Sequence, residues 1–259
     1  SKLDLTMANT NNGKRTKIRF IIACLLFLVL VIGGGSFMYI QAKDNGASNT
    51  RNSTGTSLAK SPTPTPTLTS QPPFFDNFSD SSKGWYVGSV PGYSRVIANN
   101  TLTLADTNHK ILPESLPTTT LFSDFTATIT FTIIQTSADD SVGLYLRGDS
   151  YLDHDYRVDI YGNSTYTIGK EFLDTSKHSQ VQYLVGPTKT SSLKPIGQLN
   201  TINVTMKSSR LVLQVNGTAV NAVTDTDYAS GQIALFVQNS DTSNGIAVAF
   251  SSVAVNPAL

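Results

Sequence analysis

Cysteine is nearly absent from this chain. Its one example, Cys24, sits inside an apolar run, so the part of the chain beyond it has neither a disulfide nor a thiol nucleophile. Glutamate is almost as scarce. Only Glu114 and Glu171 occur, far apart, so no short segment carries two glutamates. Three scattered histidines and no Gly-x-Ser-x-Gly segment exclude a serine-hydrolase triad. No His/Cys pair has the spacing of a zinc site. Beyond Phe74 no segment shows the helical period of 3.6 residues, which excludes folds that depend on packed helices.

What is present divides along the chain. Residues 1–19 hold five bases and one acid (+4), residues 20–73 three bases and one acid (+2), and residues 74–259 eleven bases and sixteen acids (−5), which sum to the net +1. A mildly acidic globular part does not attract nucleic acid. The basic tail instead precedes the apolar stretch Phe20–Ile40, "FIIACLLFLVLVIGGGSFMYI". As a helix at about 1.5 Å per residue this stretch spans roughly 30 Å, the thickness of a bilayer core. Lys14, Arg15, Lys17 and Arg19 ahead of it predict a cytoplasmic tail over 1–19, a single-pass membrane anchor over 20–40, and an extracellular remainder. Two rival readings keep the same destination: a signal peptide cleaved after Ala42, or a lipoprotein box at Ile21–Cys24. Residues 41–73, ending in "SPTPTPTLTSQPP", have too few apolar groups to pack and read as an extended stalk.

From residue 74 to 259, period-two alternation dominates. "FTATITFTII" (125–134) puts Phe125, Ala127, Ile129, Phe131 and Ile133 on one face and mostly threonines on the other. Asn216-Gly217 supplies the positive φ angles of a tight hairpin, and "YRVDIYGNSTYTIGK" is a second hairpin turning at Gly162-Asn163. About twelve short strands with turns between them predict an all-β, two-sheet antiparallel sandwich. Trp85, the sole tryptophan, is expected in its core.

The opening "FFDNFSDSSKGW", the central "GLYLRG" and "YRVDIYGNSTYTIGK", and the ending "LNTINVTMKSSRLVLQVNGTAVNAVTDTDYASGQIALFV" together resemble the concanavalin A-like lectin/glucanase jelly rolls. The resemblance covers 74–259. It extends to the laminin G-like and 3-keto-disaccharide-hydrolase-type domains of bacterial envelope proteins. It implies a jelly roll and a carbohydrate or other envelope ligand, and it implies that calcium at a sandwich edge, near Asp76 and Asp80, is an option. Such patterns identify a fold better than an activity.

The residues densest in chemistry are "LYLRGDSYLDHDYRVDIYG" (144–162), with two arginines, four aspartates, one histidine and four tyrosines. Three readings compete. The first is catalysis on an oxidised disaccharide, with His154 between Asp153 and Asp155 as base or metal ligand. The second is calcium held by Asp149, Asp153 and Asp155, against which stands the ordinary use of loop aspartates to cap backbone N–H groups. The third is a binding face. If Leu144, Leu146, Val158 and Ile160 point inward, alternation turns Tyr145, Arg147, Arg157, Asp159 and Tyr161 outward on one surface. Tyrosines stack on sugar rings and charged groups hydrogen-bond hydroxyls, so this mixture suits a glycan; the competing reading is a solvated ion-pair ladder. The expectation is therefore a membrane-anchored, non-catalytic carbohydrate-binding domain. A sugar-cleaving enzyme and a sensory or structural ectodomain are the alternatives.

Overall fold

The computed structural model describes residues 71–258. The expected cytoplasmic tail over 1–19, the expected membrane anchor over 20–40 and the expected stalk up to residue 70 lie outside the described residues. Within them there is no helix, and all strand pairs are antiparallel.

One sheet has nine strands. They are β1 (Phe74–Asp76), β2 (Gly88–Val90), β3 (Tyr93–Ala98), β4 (Thr101–Asp106), β6 (Phe125–Gln135), β11 (Leu199–Lys207), β12 (Arg210–Val215), β13 (Thr218–Thr224) and β15 (Ile246–Pro257). Their order is β13-β12-β11-β6-β15-β4-β3-β2, with β1 also on β15. The second sheet has six: β5 (Ile111–Ser115), β7 (Ser141–Gly148), β8 (Asp155–Tyr161), β9 (Thr165–Leu173), β10 (Ser179–Lys189) and β14 (Gln232–Gln238), ordered β10-β9-β8-β7-β14-β5. Fifteen strands replace the dozen read from turn spacing. Two of them, β1 and β2, are only three residues long and carry too little pattern to be seen.

The core fills the space between the sheets. Phe125, Ala127, Ile129, Phe131 and Ile133 of β6 are all buried in it, as their alternation predicts. Each of the large ones contributes roughly 1.5–3 kcal/mol of transfer free energy. On the other face of β6, Thr126 and Thr130 meet Thr205 and Thr201 of β11 through hydroxyl contacts of 3.0 and 3.4 Å, a polar ladder facing outward. Asn216 and Gly217, with φ of 49° and 81°, turn β12 into β13 as expected. The β8–β9 turn takes three residues, 162–164, with Ser164 at φ 63° and its N–H donating to the Tyr161 carbonyl. A longer loop with a left-handed third residue replaces the two-residue turn.

Two carboxylates singled out by the sequence hold the fold together. Asp76 accepts hydrogen bonds from the Phe78 N–H (2.8 Å) and the Trp85 indole N–H (2.6 Å), which seats Trp85 against Phe74 and Phe78 in the core. Glu114 on β5 accepts from Arg95 Nε of β3 (2.8 Å) and from the Tyr86 N–H (2.9 Å), tying the two sheets at one edge. Asp80 accepts the N–H of Ser82 in its own turn (2.7 Å).

Candidate functional site

The two outward surfaces differ in chemistry. The nine-stranded sheet shows threonine hydroxyls, whereas the six-stranded sheet carries a buried guanidinium, three carboxylates and two aromatic rings on its outward side. Alternation explains the placement. Val142, Leu144 and Leu146 of β7, Val158 and Ile160 of β8, and Ile233, Leu235 and Val237 of β14 point into the core. Tyr145, Arg157, Asp159 and Phe236 therefore point away from it.

Arg157 is the centre. Its Nε donates to both oxygens of Asp159 (3.1 and 2.9 Å) and its Nη2 to Asp159 Oδ1 (2.5 Å) and to Gln238 Oε1. The Ser141 hydroxyl donates to Asp159 Oδ1 (2.8 Å) and the Thr167 hydroxyl to Oδ2 (3.3 Å). Beneath the guanidinium lie the rings of Phe236 and Tyr145, 4.6 and 5.6 Å from its central carbon. The rings pack on each other at 4.9 Å, and Leu152 from the β7–β8 loop packs on them. Burial pushes the Tyr145 phenol well above its ordinary value, and burial together with Asp159 pushes Tyr161 up to about 12. Both phenols stay neutral donors at physiological pH.

The close packing depends on Gly143, between Val158 and Phe236. A Cβ there would stand 1.8 Å from the Val158 carbonyl oxygen and 2.8 Å from the Phe236 ring. Gly143→Ala is expected to destabilise the domain by about 2–3 kcal/mol, read as a lowered urea midpoint, because backbone cannot yield as a side chain can.

At one end of this face Asp155 opens β8 directly across from Glu171 of β9. Asp155 is 0% exposed, and neither of its oxygens has a hydrogen-bond partner among the described residues; the same holds for Glu171 Oε2. The other Glu171 oxygen accepts from the Ser179 hydroxyl. Burial first, and Glu171 second, push the Asp155 carboxyl up to about 9, so it holds a proton at neutral pH. Val181 of β10 lies across from Glu171 and Tyr183 across from Gly169, and Tyr183 is 55% exposed.

The sequence-based set is only partly brought together. Tyr145, Arg157, Asp159 and Tyr161 share the outward face, but the first three are buried in their own network rather than open to solvent. Arg147 does not join them. The register between β7 and β14 slips at this point, leaving Arg147 as the extra residue of a bulge with φ 53°. The bulge breaks the alternation and turns the guanidinium, 3% exposed, to the rim between the sheets. There it donates to the carbonyls of Ser123 (2.8 and 2.5 Å), Ser208 (2.9 Å) and Tyr228 (3.0 Å) and to Asp124 (3.3 Å).

Asp149, Asp153 and Asp155 do not converge, and among the described residues no group of three His, Cys, Asp or Glu could hold a metal. Asp149 caps its own loop, accepting from the N–H groups of Tyr151 and Asp153 (3.0 Å each), with His154 Nδ1 at 3.1 Å from its other oxygen. Phe236, Gln238 and Glu171 escaped the sequence reading. The signal for Phe236 lies in "QIALFVQ", where a large aromatic falls out of phase with Ile233, Leu235 and Val237.

A two-sheet antiparallel sandwich with a polar, aromatic-floored outward face is a concanavalin A-like jelly roll. Within that class the chain belongs to the 3-keto-α-glucoside-1,2-lyase-like domain family, which it matches over residues 73–255. Among solved structures it is similar to the carbohydrate-binding module CBM66 of Bacillus subtilis, at 16% identity, TM-score 0.50, covering 67% of this chain and 95% of that one. It is also similar to a family 16 glycoside hydrolase of Bacteroides ovatus in complex with a mixed-linkage glucan product, at 9% identity, TM-score 0.52, covering 70% and 99%. A galectin-like protein of Bacillus subtilis, of unknown function, aligns at 12% identity, TM-score 0.52, covering 71% and 94%. At these identities the likeness establishes the fold alone. No curated protein matches the chain.

Proposed function

We propose that the outward face of the six-stranded sheet binds a carbohydrate, and that the domain does so without catalysis, outside a membrane to which residues 20–40 anchor it. The observation that carries this reading is the Arg157 network on its Phe236–Tyr145 floor. A sheet whose inner face already fills the core gains nothing in packing from burying an arginine with carboxylates on its outer face, and desolvating those charges is costly. The network instead fixes the strands of a face on which the exposed Tyr183 offers a stacking surface to a polar ring ligand. The carbohydrate-binding and glucan-hydrolysing neighbours agree with a sugar at this fold.

The test is a glycan array probed with the full chain, with calcium and with chelator. Binding that survives chelation is expected, because Asp149 is occupied within its own loop. Tyr183→Ala is expected to weaken the bound glycan about tenfold, the loss of one stacking platform. Absence of any glycan signal from folded protein would favour a sensory or structural ectodomain instead.

One observation favours a catalytic reading: a protonated Asp155 facing Glu171 supplies an acid beside a base, and the family takes its name from a lyase acting on 3-keto-α-glucosides. Turnover of such a substrate, abolished in Glu171→Gln, would move the protein to that class.

A further inference from the structure

We propose that the end of this face formed by Asp155 and Glu171 is a subsite for a protonated amine, so that the sugar bound there is an amino sugar with a free amino group. The inference rests on the carbohydrate-binding reading and names the ligand's chemistry. Three oxygens at this end, both of Asp155 and Oε2 of Glu171, have no hydrogen-bond partner among the described residues, although Asp155 is fully buried and the Glu171 side chain only 11% exposed. Buried acceptors without donors are strongly unfavourable, and native structures rarely keep them without a reason.

Two of the donors nearby are directed elsewhere, and a third stands out of reach. Arg157 gives Nε and Nη2 to Asp159 and Gln238, and its Nη1 stands 3.8 Å from Glu171 Oε2, beyond hydrogen-bond reach. The Ser179 hydroxyl is directed at the other Glu171 oxygen. Asp159 and Glu171, when ionised, leave one negative charge against Arg157 (two minus one), and Asp155 adds a second once it gives up its proton. Asp149 and Asp153 of the β7–β8 loop add to the negative field at Asp155. An occupant must therefore bring donors and positive charge.

A metal ion answers this less well than an ammonium. Calcium takes six to eight oxygens, whereas no group of three possible ligand side chains exists here, and a guanidinium already faces Glu171. An ammonium has three donors, the number of oxygens left open. The surroundings suit a sugar ring. Val181 and Tyr183, both exposed, stand two residues apart on β10, about 7 Å along the strand. A ring resting on Tyr183 directs a substituent past Val181 toward Glu171. Asp155 is fully buried, so the amine reaches it only with a shift of the β7–β8 loop that packs over this end. The proton that Asp155 holds in the free protein is released as the ammonium takes its place.

The full chain is titrated by calorimetry with three tetrasaccharides of one β-1,4 backbone that differ only at C2: glucosamine, N-acetylglucosamine and glucose. The expected result is at least about tenfold tighter binding of the glucosamine tetramer, the effect of one charge-assisted hydrogen bond, with the preference lost in Asp155→Asn and Glu171→Gln. Equal binding of the three, or preference for a neutral one, overturns the amine subsite and leaves the carbohydrate face standing. Preference that persists in both variants overturns its assignment to this pair. Failure of all three to bind overturns the inference; the glycan array then decides separately whether the carbohydrate reading falls with it.

Discussion

Replacing Arg147 with alanine is expected to lower the unfolding midpoint by roughly 6–12 °C. The side chain makes five hydrogen bonds to four residues drawn from three separate connections: Ser123 and Asp124 before β6, Ser208 in the β11–β12 turn, and Tyr228 before β14. Removing it leaves three carbonyls and a carboxylate without their shared donor. Asp124 retains the Ser208 N–H at 2.8 Å, and the cleft over Arg147 is open enough for water to replace part of the rest. A loss of about 3 kcal/mol follows from charged hydrogen bonds worth roughly 1.5–3 kcal/mol each, partly compensated. For a domain of this size each kcal/mol moves the midpoint by roughly 2–4 °C. Arg147→Lys is expected to recover only a minor part, because one ammonium cannot span acceptors that a planar guanidinium reaches together. Thermal unfolding followed by circular dichroism reads both variants. A midpoint unchanged in Arg147→Ala would mean that the rim contacts are marginal.

Asp155→Asn is expected to do the opposite and stabilise the domain, increasingly so as pH rises. Below the ordinary carboxylate value of 3.8 the folded and unfolded chains are both protonated, and Asp155 favours neither. Between there and about 9 the folded chain keeps a proton that the unfolded chain has released. Unfolding then releases a proton, so wild-type stability falls with rising pH, by at most about 1.4 kcal/mol per pH unit. The causes are burial, then Glu171 across the strand, with Asp149 and Asp153 adding to them and Arg157 opposing. An asparagine has nothing to titrate. Urea unfolding of both proteins from pH 5 to pH 8 is expected to show a gap widening by on the order of 1 kcal/mol per pH unit in favour of the variant. Parallel profiles would show that Asp155 ionises freely and that the pair holds no proton. A residue whose removal stabilises the fold is kept for another purpose, which is why the pair belongs to the site and Arg147 does not.

The sequence made the sheets legible and the site only in part. Long alternating segments such as β6 name their inward face without ambiguity, and Asn216-Gly217 can do little else than turn. Tyr145, Arg157, Asp159 and Tyr161 fall on one face by the same parity. Parity fails at Arg147 because a one-residue bulge reverses every inference beyond it, and nothing in "LRGDS" marks a slip that depends on the register of β14. The aspartates of the β7–β8 loop drew attention by density, yet density does not reveal that Asp149 satisfies two backbone N–H groups of its own loop. Asp155 and Glu171 are sixteen positions apart and become neighbours only through the β8–β9 pairing.

The central claim is that a glycan occupies the outward face of the six-stranded sheet. Hydrogen–deuterium exchange on the full chain, with and without the glycan that gives the strongest array signal, tests it most directly. Slowed exchange is expected in β8, β9 and β10, from Asp155 through Val181 and Tyr183, with β2 and β3 unchanged. Protection confined to the nine-stranded sheet, or no protection at saturating glycan, would contradict it.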